Sequence, residues 1–120
     1  MIQLKELHHE AMRLADEAEL LRRQGNLAQA RKKTEQAFEQ ERKAADLVAP
    51  ELTMEPTRSV LHRSAAALAL ECGALREAER LIAVALAGEP PQEIAEELRD
   101  LLEQVYFGAK KGRRPLTKTS

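Results

Sequence analysis

The sequence predicts an all-α protein, and three observations predict it. Apolar residues recur at helical steps of three and four along most of the chain. Hydrophobic residues reach 43% while aromatics make up only 2%, so the core is built from leucine and alanine, strong helix formers, rather than from the β-branched and aromatic residues of strands. Most glycines and prolines stand between the periodic segments, where they punctuate helices instead of breaking them. A chain of 120 residues forms one small domain with a modest core.

Leu4, Leu7, Ala11, Leu14, Ala18 and Leu21 lie on one stripe of a first helix spanning about 2–24. Gly25 ends it in a left-handed conformation, and Asn26 followed by Gln29 reads as a capping box for the second helix. So short a connection forces an antiparallel hairpin. The second helix buries Leu27, Ala30, Ala37, Phe38, Ala44, Leu47 and Val48, and nothing interrupts it before Pro50. Pro50 and Pro56 bracket an extended connector anchored by Leu52 and Met54.

A third helix starts at 56 or 57 and runs to 72; its run of alanine and leucine at 65–70 is apolar nearly all round, which marks the most buried element. Gly73 breaks it, a fourth helix spans about 75–87, and Gly88, Glu89, Pro90 and Pro91 form a hard stop, with Pro91 suited to the first turn of the next helix. The fifth helix, 92–107, is amphipathic through Ile94, Leu98, Leu101, Leu102, Val105 and Tyr106 and turns Glu93, Glu96, Glu97, Asp100, Glu103 and Gln104 outward, as a terminal cap requires. Residues 1–107 thus form the helical domain. Residues 108–120 read as a disordered basic tail, short of apolar residues and broken by Gly112 and Pro115.

Gly73, Leu75, Ala78, Ile82, Ala85 and Pro90 follow the pattern G-x-L-x-x-A-x-x-x-I-x-x-A-x-x-x-x-P, and its opening recurs upstream as Gly25, Leu27, Ala30, Thr34 and Ala37. This pattern resembles the tetratricopeptide repeat. The resemblance implies antiparallel helical hairpins stacked as a short right-handed solenoid, about two divergent repeats plus a capping helix, whose function is recognition of a peptide or another protein. The chain departs from the family pattern at Ala69, where tyrosine is usual, and at His62, where a large apolar residue is usual; the glycines also stand 48 residues apart, more than one repeat length. An ordinary four- or five-helix bundle is the alternative architecture. In the tetratricopeptide family the first helix of each hairpin lines the concave groove. Here that places Glu19, Arg22 and Arg23 of the first helix beside Val60, Arg63, Ser64, Ala67 and Glu71 of the third as the partner-binding groove. The family's carboxylate clamp uses lysine and asparagine on these helices, and the single asparagine here, Asn26, lies in a turn.

Enzyme chemistry finds little to stand on. Phosphate loops, nucleophile elbows and paired metal-ligand motifs are missing from the sequence. His8 and His9 are adjacent on a helix and point about 100° apart, a poor arrangement for one ion. Cys72, the only cysteine, sits on an alanine-rich helix and reads as a small hydrophobe. The expectation is a non-enzymatic adaptor with no cofactor.

Five basic residues after Phe107, among them Lys110, Lys111, Arg113 and Arg114, mask an excess of six acids in the preceding body, so the net charge is only −1. An acidic body disfavours nucleic acid. The alternative function is a small dimeric regulatory protein whose basic tail contacts nucleic acid or an anionic surface. The chain shows neither a membrane-spanning stretch nor a signal-peptide core, and one cysteine suits a reducing compartment, so the expected location is the cytoplasm, off the membrane. Two hairpins and a cap leave end faces uncovered, which favours a homo-oligomer.

Overall fold

A computed structural model describes the backbone of residues 2–113 and the side chains of residues 2–107. The described residues form five α-helices and one 3-10 turn, with no strand: α1 (Ile2–Arg23), α2 (Leu27–Val48), the turn (Leu52–Met54), α3 (Thr57–Glu71), α4 (Leu75–Leu86) and α5 (Gln92–Arg113). The helices pack against one another as an all-α unit.

The two sharp reversals have one construction. Gly25 and Gly73 take φ of 83° and 79°, the left-handed region in which a Cβ is strained. Around each, two backbone bonds close a Schellman motif: the Gly25 N–H donates to the Arg22 carbonyl at 3.0 Å and that of Asn26 to Leu21 at 2.9 Å, while Gly73 donates to Leu70 at 3.1 Å and Ala74 to Ala69 at 2.8 Å. Asn26 and Ala74 then open the next helix with matching torsions, φ −86° and ψ 71° against φ −86° and ψ 69°. The expected capping box is absent, because Asn26 makes no side-chain cap bond. Alanine does the same job in the second turn, so the Schellman geometry, not a polar side chain, sets the helix entry.

α3 is the centre of the fold. It packs against α2, α4, α5 and the 3-10 turn, whereas α1 packs chiefly on α2. Eight of the 15 residues of α3 are buried against four of the 22 in α1, in line with the apolar run that marked α3 as innermost. The shared core joins Leu61, Ala65, Ala66 and Ala69 of α3 to Ala78, Leu81, Ile82 and Ala85 of α4, Ala44, Ala45 and Val48 of α2, and Leu98 and Val105 of α5. Alanines at the crossings, many with no exposed surface at all, let the backbones approach closely.

The connector differs from expectation. It coils into a 3-10 turn instead of running extended, and only Met54 packs on the core while Leu52 stays exposed. What pins it is Arg58, buried at the start of α3: its Nε donates to the Ala49 carbonyl at 2.6 Å, one Nη to the Val84 carbonyl at 3.0 Å and the other to Glu55 at 3.4 Å. Those carbonyls lie at or just past the ends of α2 and α4, where helices leave acceptors unsatisfied. Gly88 makes room for this, since a methyl there would overlap the Arg58 guanidinium.

Two helix limits also move. Pro91 lies just outside α5, its carbonyl accepting the Ala95 N–H at 2.8 Å. At the other end, α5 continues six residues past Phe107 to Arg113, so the helical backbone does not stop at the expected boundary. One interior glycine costs about 1 kcal/mol, and Ala109, Lys110 and Lys111 are good helix formers that carry the helix through Gly108. Residues 114–120, and the side chains of Lys110, Lys111 and Arg113, lie outside the described residues, as does the disorder expected of 114–120.

Candidate functional site

α1, α3 and α5 converge on one open cleft of about 500 Å³. Met12 of α1 forms one wall, Arg63, Ser64, Ala67, Leu68 and Glu71 of α3 form the base, and Glu97, Asp100 and Leu101 of α5 form the other wall. The helical period explains the set on α3: residues 63, 64, 67, 68 and 71 follow steps of one, three, one and three, so they share one stripe of the helix. Met12, Ala67, Leu68 and Leu101 give the cleft apolar surface, and Arg63, Glu71, Glu97 and Asp100 line it as well.

The charged lining is acidic on balance: Glu71, Glu97 and Asp100 against Arg63. Arg63 binds Glu97 at 2.5 Å, bridging α3 to α5, with both side chains partly in water. Arg22 reaches Glu71 at 3.7 Å and also binds Glu19 at 2.5 Å. Asp100 is exposed and has no ion-pair or hydrogen-bond partner among the described residues.

Of the eight groove residues expected from the sequence, four line this cleft: Arg63, Ser64, Ala67 and Glu71. Arg22 borders a neighbouring hollow of about 410 Å³ with Leu27, Arg31 and Thr34, which also meets Glu71. Glu19 and Arg23 pair with each other at 3.3 Å beyond the cleft, and half-buried Val60 does not line it. Sequence reasoning missed Met12, Leu68 and the whole α5 wall. A signal for the wall was present: α5 is amphipathic, and Glu97, Asp100 and Leu101 follow one another at helical steps of three and one along it.

The side chains weighed for chemistry occupy structural places. His8 Nδ1 lies 3.0 and 2.9 Å from the two carboxylate oxygens of Glu41, a residue with no exposed surface, and so ties α1 to α2. His9 is exposed with its ring tilted 38° to that of His8. Among the described residues no three His, Cys, Asp or Glu side chains cluster as a metal site. The Cys72 thiol donates to the Leu68 carbonyl at 3.1 Å, and burial, helped by Glu35 and Glu71, pushes its pKa up to about 11, so it stays protonated at neutral pH. His62 is fully buried and donates from Nδ1 to the Arg58 carbonyl at 2.7 Å, while its Nε2 has no partner among the described residues. Burial holds its pKa below the usual histidine range.

The arrangement offers an open apolar surface with charged side chains beside it. No described helix is long and apolar enough to cross a membrane. Comparison of the chain with protein-family models, curated proteins and solved structures yields no match.

Proposed function

We propose that the chain is a non-enzymatic interaction module, two divergent tetratricopeptide-like hairpins and a capping helix in a short solenoid, that binds a peptide or protein segment in the α1–α3–α5 cleft. One observation carries this reading. The first helix of each hairpin and the helix after them contribute to a single open cleft, with apolar side chains from all three elements and charged ones from α3 and α5. The two identical glycine turns support the repeat, because they set both hairpins at the same reversal geometry. A cleft this open suits a continuous segment of chain better than a small molecule, which needs most of its surface enclosed.

The test is a peptide-display selection against the folded protein, followed by affinity measurement on two variants. Ala67→Trp fills the cleft, whereas Ala83→Trp places the same ring on an exposed position of α4 that does not line it. Selected peptides are expected to lose binding to the first variant and keep it to the second. Equal behaviour of the two variants sinks the reading.

A further inference from the structure

We infer that the cleft receives the C-terminal segment of a second copy of this chain, residues 114–118, so that copies associate head to tail; the inference rests on the cleft being a segment-binding site. The complementarity is specific. Arg114, Leu116 and Lys118 alternate along the sequence, and Pro115 drives its neighbour Arg114 toward extended backbone. In an extended segment alternate residues share one face, about 7 Å apart. One aliphatic side chain between two cations therefore meets a cleft lined by apolar Leu68 and Leu101 and by three carboxylates against one cation, of which Glu97 and Glu71 are paired with arginines and Asp100 has no ion-pair partner among the described residues.

Reach decides between one chain and two. α5 leaves the cleft at Leu101 and continues as helix to Arg113, twelve residues or about 18 Å along its axis. Leu116 follows three residues later and extends at most about 10 Å back. It falls short of its own cleft. A neighbouring molecule's cleft has no such limit, and because tail and cleft are different surfaces the contact is heterologous and propagates.

The experiment is sedimentation velocity on the full chain and two variants, Leu116→Asp with a disabled tail and Ala67→Trp with a blocked cleft. The wild type is expected to form oligomers that grow with concentration, with a dissociation constant about tenfold weaker at 500 mM than at 50 mM salt. Each variant alone is expected to be monomeric, and their equimolar mixture to form dimers and nothing larger, since one intact tail and one intact cleft remain. If Ala67→Trp loses its helical circular dichroism, Asp100→Lys on the exposed rim takes its place. A monomeric wild type, self-association that survives either variant, or a mixture that stays monomeric overturns the proposal. Display-selected peptides that bind the wild type while it stays monomeric remove this inference alone. A wild type that neither binds such peptides nor self-associates removes the cleft reading as well.

Discussion

The two hairpins share a turn and differ in almost everything else. α1 and α2 run 22 residues each, while α3 and α4 run 15 and 12. The long pair meets the rest of the protein mainly through α2 and keeps most of α1 in water, so its buried polar contact, His8 with Glu41, sits where one partner remains half-exposed. The short pair is enclosed on several sides, and α3 buries Arg58, Ser59 and His62 within the fold. The difference teaches that an identical reversal sets only direction. How much a helix buries, and therefore which polar groups need internal partners, depends on how many neighbours it has.

Breaking the polar pin of the enclosed hairpin is expected to have the largest effect. Arg58→Ala removes the donors to Ala49 and Val84 and leaves Glu55 without its cation; a loss of about 3–5 kcal/mol is expected in chemical denaturation. His8→Ala at the edge of the long hairpin is expected to cost less, because water reaches the vacated site. A larger loss for His8 than for Arg58 reverses the comparison.

Matched alanines sharpen it further. Ala30 and Ala78 each stand five residues after the turn glycine, and both are buried. Ala30 borders an open hollow, whereas Ala78 has no exposed surface and packs in the shared core. Ala78→Leu is expected to overpack its crossing at about 1–3 kcal/mol, with Ala85→Leu similar. Ala30→Leu is expected to cost under about 1 kcal/mol, because its added atoms have space to enter. Unchanged melting temperatures for Ala78→Leu and Ala85→Leu mean that the repeat register is wrong.

Acid should strain the enclosed hairpin first. Burial holds His62 neutral in the fold, opposed by its bond to the Arg58 carbonyl; Arg58, Asp46 and Arg80 are the charged groups acting on it. Its folded pKa is below the unfolded value of about 6.5, so the unfolded chain binds the proton first. The stability tied to the neutral ring is therefore complete above pH about 6.5 and declines as pH falls toward the folded pKa, by at most about 1.4 kcal/mol per pH unit. Urea midpoints at pH 7.5 and 5.5 measure this, and His62→Leu is expected to flatten the decline. Glu77, held below the usual carboxylate range by its bond to Arg80, gives way only at lower pH. The smallest effect belongs to the cleft rim, where both partners are partly solvated: Glu97→Gln is expected to change stability by under about 1 kcal/mol.

Much of the fold was legible along the chain, because local rules act on neighbours in sequence. The 3.6-residue period set the faces of α1 and α5, glycine with no Cβ marked both reversals, and the all-apolar run of α3 announced its enclosure. Arg63, Ser64, Ala67 and Glu71, named together from the sequence, do line one cleft, since they lie on one stripe of a single helix. Glu19 and Arg23 do not line it, because they lie near the end of a helix that extends beyond it, and no pattern within α1 states which of its turns reaches the cleft.

By itself the sequence determined the helices, their order and the two reversals, since each follows from propensity and backbone sterics within a few residues. Only the tertiary structure decided that α5 walls the cleft, and that Arg58 serves the ends of two distant helices. Both depend on groups brought together from far apart in the chain: Ala49 and Val84 for one, Met12 and Leu101 for the other. Packing of whole helices sets such distances, and a glutamate on an outer face has the same sequence signature whether it points into water or across a cleft at Arg63.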